Sequence, residues 1–191
     1  NIKLMHGRAG KNKIEILEYN IIETPLDSVR DGKITNGNSI VHLVKESIKL
    51  INIKAKKAVF TVTGTGVITR DIQIPQSTDE EIEKILKFEA QQYFPVDLEN
   101  YVLDYKVIGK VYNTDGVFDR ILLAAVPVRQ VDEYMKLPSM LKMEMKAVDL
   151  PANCILKYFF GIEGKIKRLD KDVNPDLAGE FAVIDIGCET T

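Results

Sequence analysis

Polar and apolar positions divide the chain into short elements. Ile2 to His6 reads as a strand, Gly7-Arg8-Ala9-Gly10-Lys11-Asn12 as a turn, and Ile14, Ile16 and Tyr19 as one face of the strand that follows. Pro25 and Asp31-Gly32 punctuate the next stretch. Ile40, Leu43, Val44, Ile48 and Ile51 then fall on one helical stripe, opposite His42, Lys45, Glu46 and Lys49, with Asn38 as the candidate N-cap. Val59, Phe60 and Val62 predict a buried-type strand over Ala58 to Thr63, broken by Gly64-Thr65-Gly66. Ile68, Ile72 and Ile74 alternate along a half-exposed strand that Pro75 ends.

The middle of the chain carries the clearest helix signal. Thr78 and Glu81 have the spacing of a capping box, in which each side chain accepts from the other residue's free amide. Ile82, Ile85, Leu86, Ala90 and Tyr93 form the stripe behind it, and Pro95 ends the helix by forcing Phe94 out of helical geometry. Tyr101 to Ile108 and Phe118 to Val126 are two further strands around an Asn113-Thr114-Asp115-Gly116 turn. From Val67 to Val126 the order is therefore strand, helix, strand, strand. A helix follows over Arg129 to Met143, with Pro138 inside it as an expected kink or split. Next come a strand over Lys146 to Leu150, a short helix over Ala152 to Phe160 and a polar loop over Gly161 to Gly179. The continuous apolar run Phe181-Ala182-Val183-Ile184 predicts a central strand leading into Asp185-Ile186-Gly187.

Composition narrows the function classes. Lys+Arg 26 against Asp+Glu 28 leaves a net charge of -2, so no global field recruits nucleic acid or anionic lipid. No apolar run is long enough to span a bilayer as a helix. Two Cys without a Cys-x-x-Cys argue against a disulfide framework and for a reducing compartment, and two His leave little for a metal site. No charged-then-apolar leader is present in the sequence.

Few motifs carry chemistry. Asp185-x-Gly187 after a buried strand is the best phosphate-loop candidate, with Thr190 and Thr191 as hydroxyl donors; a plain strand-and-turn is the competing reading. Gly64-Thr65-Gly66 lacks the third Gly and the following helix of a dinucleotide fingerprint, so it reads as a turn. Asp79, Glu80 and Glu81 occupy a first helical turn, where the dipole favours negative charge. Lys54, Lys56 and Lys57 read as a solvated loop, and His6 and His42 have no triad partners in view. Cys154 reads as a core thiol, and Cys188 lies in the phosphate-loop candidate. Unaided, the residues point to an α/β or α+β protein with an unfinished phosphate loop.

The order of features adds a resemblance. Val67-Ile68-Thr69-Arg70-Asp71-Ile72-Gln73-Ile74-Pro75, an acidic helix ending Phe88-Glu89-Ala90-Gln91-Gln92-Tyr93-Phe94-Pro95, two strands, Val148-Asp149-Leu150 and Ala182-Val183-Ile184-Asp185-Ile186-Gly187 together resemble the type IV pilus assembly PilM family. The resemblance implies a partial actin-like ATPase fold similar to the cell-division protein FtsA. Residues 1–66 and 144–191 would form subdomain 1A, and residues 67–143 an inserted subdomain 1C. The full-length family binds ATP with Mg2+. Here Asp185, Gly187, Thr190 and Thr191 would be the second phosphate loop, but Glu189 inside it repels phosphate. The first phosphate loop and the adenosine motif are absent from the sequence, so this fragment is expected to bind no nucleotide and to be no enzyme.

The implied function is scaffolding at the cytoplasmic face of the inner membrane. The partner would be the cytoplasmic N-terminal peptide of a PilN-like single-pass membrane protein, held between 1A and 1C, with other platform proteins and the assembly ATPase as further partners. Neither nucleic acid nor direct membrane insertion is expected. Arg70, Ile72, Tyr93 and Tyr105 are the groove candidates; interior packing of Ile72 and Tyr93 is the alternative. An FtsA-like filament anchor and an actin-fold small-molecule kinase are the rival functions. The former predicts an amphipathic membrane helix elsewhere in the gene product.

Overall fold

The computed structural model describes residues 1–10 and 13–160. The expected loop over 161–179 and strand over 180–186 lie outside the described residues.

Strands β1 (Ile2–Gly10) and β2 (Lys13–Ile22) pair antiparallel. His6 stands opposite Glu18 while Gly7 stands opposite Ile16, so Leu17 is an extra, bulged residue. The bulge reverses the alternation, which is why Ile16 and Tyr19 share a face despite their odd spacing. That face is exposed, with Met5 and Ile21 beside them. On the other face Ile2 and Leu4 pack into a core under helix α1 (Gly37–Leu50). Between β2 and α1 lies a small hairpin, β3 (Val29–Arg30) and β4 (Lys33–Ile34). Its turn residues Asp31 and Gly32 both have positive φ, 49° and 69°, as a tight hairpin of this hand requires.

Helix α1 starts earlier than expected. Its N-cap is Asn36, not Asn38, and the Asn36 Oδ1 accepts from the Ser39 amide at 3.2 Å. The buried residues are Ile40, Val41, Val44 and Ser47, and the Ser47 hydroxyl accepts from Asn20 Nδ2 at 2.7 Å, fastening β2 to the helix. Strand β5 (Lys57–Thr61) pairs parallel with β9 (Glu144–Asp149). Phe60 faces the α1 core, whereas Val59 is 58% exposed, so β5 is not buried on both faces as the apolar run suggested.

The second core belongs to a three-stranded antiparallel sheet of β6 (Ile68–Pro75), β7 (Tyr101–Asn113) and β8 (Gly116–Pro127), in the order β6-β8-β7. Helix α2 (Asp79–Tyr93) covers one face. The capping box forms as its spacing predicts: Thr78 Oγ1 accepts from the Glu81 amide, and Glu81 Oε2 from the Thr78 amide at 2.8 Å. Ile82, Leu86 and Phe94 pack on Ile72, Ile74, Ile121, Leu123 and Ala125. Asp119, buried at the edge of this core, accepts from the Ser77 amide at 3.0 Å and fixes the approach to α2.

Helix α3 (Val128–Leu141) returns the chain to the first core, where Leu137, Tyr134, Met140 and Leu141 pack with α1. The range 67–143 expected for the insert took in this helix; by packing it sits with the α1 core. Pro138 lies inside α3 and is buried, and the turn ends where Lys142 adopts a left-handed φ of 56°. Helix α4 (Pro151–Phe160) follows β9, with Cys154 half-buried on it.

Candidate functional site

The four groove candidates all lie on or beside the helix-covered side of the three-stranded sheet. Ile72 stands opposite Ile121 and is 7% exposed, so it lines the interior and no groove. Arg70 reaches along the sheet to the end of α2. Its Nε donates to the Tyr93 carbonyl at 3.0 Å, and the guanidinium lies 5.9 Å from the Phe94 ring centroid. This places a cation at a helix C-terminus, where the dipole favours it. Tyr93 is half-buried against the same core. Tyr105, at the other end of the helix, donates weakly to the Asp79 carbonyl at 3.4 Å. Loss of solvation pushes its phenol up, with Asp79, Glu83 and Asp104 adding to the effect. These residues attach α2 to its sheet, as the packing alternative held for Ile72 and Tyr93.

Two crossings join the three-stranded sheet to the rest of the chain, Thr63–Val67 and Pro127–Val128, and one cluster clamps them. Gln130, 2% exposed, donates from Nε2 to the Gly32 carbonyl at 3.0 Å and the Thr63 carbonyl at 2.7 Å. Tyr134 donates to the same Gly32 carbonyl at 3.0 Å, and burial raises its phenol pKa. Asp31 accepts from the Thr65 amide at 2.8 Å and from its hydroxyl at 2.5 Å. The hydroxyl bond first, then the amide bond, holds the Asp31 carboxyl below its ordinary value. The turns approach so closely that a Cβ on Gly32 would stand 1.7 Å from the Thr63 oxygen, and one on Gly64 2.3 Å from the Asp31 oxygen. The Thr65 amide is thus already occupied by an internal carboxylate. Gly64-Thr65-Gly66 is a turn, as its spacing predicts.

Asp185, Gly187, Thr190 and Thr191, like Cys188, lie outside the described residues. Among the described residues no group of three His, Cys, Asp or Glu side chains could hold a metal ion. His6 lines a shallow hollow with Arg8, Glu18, Asn52 and Lys54, in which no Ser or Cys stands as a nucleophile.

The face of the sheet opposite α2 has a different character. Strand β8 reads Ile121-Leu122-Leu123-Ala124-Ala125-Val126, apolar at every position. Alternation sends Ile121, Leu123 and Ala125 under α2 and leaves Leu122, Ala124 and Val126 on the other side. Val102 and Lys106 flank them on β7. Lys106 donates to Asn153 Oδ1 on α4 at 3.1 Å, and Asn153 Nδ2 in turn donates to Asp149 Oδ1 at 2.7 Å. This hydrogen-bonded chain runs from the sheet to the β9–α4 corner, so the face away from α2 lies toward α4. Sequence reasoning missed these residues. The signal was the unbroken apolar run of β8, which a sheet solvated on one face does not need.

Comparison with known proteins places this arrangement. The family model described as Type IV pilus assembly protein PilM matches residues 1–191, the whole chain. The chain belongs to the PilM family. Its fold is similar to a chain of a solved PilM-PilN type IV pilus biogenesis complex, with a TM-score of 0.68 and 19% identity. The match covers 81% of this chain and 45% of that one, so the chain spans less than half of its length. The mixed α/β architecture expected from the sequence is thus that of a PilM-family protein.

Proposed function

We propose that this PilM-family chain is a scaffold module of the type IV pilus inner-membrane platform. It holds the cytoplasmic N-terminal peptide of a PilN-like single-pass membrane protein between its two cores. The observation that carries this reading is the apolar row Leu122, Ala124 and Val126 on the face of the β6-β8-β7 sheet away from α2, tied to the β9–α4 corner through Lys106 and Asn153. An extended peptide with alternate apolar side chains complements such a face. Similarity to a chain solved with PilN supports the choice of partner. The membrane connection then comes through the partner: no described helix is long and apolar enough to cross a bilayer.

In this reading the inserted three-stranded sheet and α2 form the subdomain named 1C, and the α1 core forms part of 1A. The full-length family's expected cofactor is ATP with Mg2+, and its candidate loop at Asp185, Gly187, Thr190 and Thr191 lies outside the described residues. Titration of the chain with a labelled PilN-like cytoplasmic peptide tests the proposal. Saturable binding is expected; none at high micromolar peptide would refute it.

A further inference from the structure

The near-zero net charge hides an uneven spread. Residues 1–66 hold 11 Lys+Arg against 6 Asp+Glu, and residues 67–127 hold 6 against 11. The positive excess has an address in the fold. Strands β5 and β9 are parallel, and each follows a helix of the same core, so α1 and α3 both end where the two strands begin. That end gathers Lys49 from the last turn of α1, Lys54 and Lys56 from the connection to β5, Lys57 from the first position of β5, and Lys142 from the C-cap of α3. All five are exposed. The backbone ties the two connections together: the Glu144 amide donates to the Lys56 carbonyl at 2.7 Å, and Lys57 stands opposite Glu144. Glu144 is itself paired with Lys146, and Glu18 shares a hollow with Arg8 and Lys54. Helix dipoles account for Lys49 and Lys142, but the effect has faded by Lys54, Lys56 and Lys57. Leu50, the last residue of α1, is 78% exposed beside Lys49. Between Lys49 and Lys57 stand Leu50, Ile51 and Ile53 and no aromatic ring, which suits lipid better than stacked bases.

We propose that this basic end of the α1 core is a docking surface for an anionic phospholipid bilayer, with the five lysines over the headgroups and Leu50 among them. Each Lys near such a surface strengthens binding about fivefold. The acidic segment 67–127 leaves from the opposite end, after β5 and before α3, and the length of α3 sets that end about 20 Å away. The three-stranded sheet therefore points away from the bilayer, as its charge also demands. The contact is peripheral, adds to the connection made through the partner, and does not depend on peptide capture.

Co-sedimentation of the full chain with phosphatidylcholine vesicles, with and without phosphatidylglycerol, tests the docking surface. Binding is expected to the vesicles that contain phosphatidylglycerol and not to phosphatidylcholine alone, and it should weaken as salt is raised. Lys49→Gln, Lys54→Gln, Lys56→Gln and Lys57→Gln made together are expected to weaken it about 600-fold, the product of four such factors. Leu50→Ser is expected to weaken it severalfold with the salt dependence unchanged. Lys84→Gln with Lys87→Gln, exposed on α2, is expected to have no effect. Far-UV circular dichroism and urea midpoints check that each variant folds. No binding to the phosphatidylglycerol vesicles at low salt overturns the proposal, and so does equal binding by the four-lysine variant. Tighter capture of a labelled single-stranded oligonucleotide, lost in that same variant, assigns the patch to nucleic acid and overturns it too. The peptide titration is read without lipid, so none of these failures touches peptide capture.

Discussion

Replacing Gln130 with Glu exchanges two N–H donors for an oxygen that faces two carbonyl oxygens, at 2.7 Å from Thr63 and 3.0 Å from Gly32. The site is 2% exposed, and Gln130 Oε1 already has no partner, so no donor waits to receive the new oxygen. The folded variant must therefore keep its carboxyl protonated. The single O–H then serves one carbonyl and abandons the other, a loss of about 1 kcal/mol. The unfolded chain ionises near pH 4.3, and holding the acid neutral to pH 7 costs about 1.4 kcal/mol per pH unit, or roughly 3–4 kcal/mol. The total is about 4–5 kcal/mol at neutral pH and about 1 kcal/mol near pH 4. The sign follows from a carboxyl whose folded pKa is raised: stability relative to wild type is lost as pH rises through the unfolded value. Urea unfolding of wild type and Gln130→Glu at both pH values measures the difference. Gln130→Met, which removes the donors without adding an ionisable group, should show a smaller loss with no pH dependence. A Gln130→Glu variant within about 1 kcal/mol of wild type at pH 7, or one whose deficit ignores pH, refutes the clamp.

Other expectations follow from the two cores and their turns. Ile82→Ala, at the 1% exposed centre of the sheet–α2 core, should cost about 2–5 kcal/mol in urea unfolding; a loss below about 1 kcal/mol would mean that the core collapses to fill the space. Thr78→Ala removes the N-cap of α2 and should cost about 1 kcal/mol, with the loss read as a lower unfolding midpoint. The bond from the Thr78 amide, and then that from its hydroxyl, hold Glu81 below its ordinary value. The stability Glu81 contributes is therefore present above that value and lost as pH falls through the lower folded one, and Glu81→Gln should flatten that part of an acid titration. Gly64→Ala meets both a φ of 129° and the Asp31 oxygen, and should cost about 2 kcal/mol or more; an unchanged midpoint would show that the two turns separate easily.

Much of the local structure was legible because it depends on near neighbours. The capping box needs only Thr78 and Glu81 three residues apart, and Pro95 stops α2 through the residue before it. The strand-helix-strand-strand order from Val67 to Val126 follows from periodicity and turn residues alone. Where neighbouring positions offered two solutions, the packing chose. The sequence pattern places the N-cap at Asn38, whereas the burial of Ile40 and Val41 under β1 and α3 sets the helix to begin at Gly37, with Asn36 as its cap.

Facing is different, because it depends on partners far away in sequence. Alternation along β6 shows that Ile72 and Ile74 share a side, but not that α2 lies on it. Ile72 was therefore open to reading as a groove residue until its contact with Leu86 and Ile121 in one core placed it inside. The same uncertainty applies to the opposite face of the sheet. Leu122, Ala124 and Val126 differ from Ile121, Leu123 and Ala125 only in the direction that the pleat sends them. Lys106 and Asn153 are 47 positions apart, and neither belongs to a local motif. Family membership was written in the order of short-range signals along the chain. The two faces of β8 acquire their different surroundings only when β8 is seated between β6 and β7, with one face closed by α2 and the other turned toward α4.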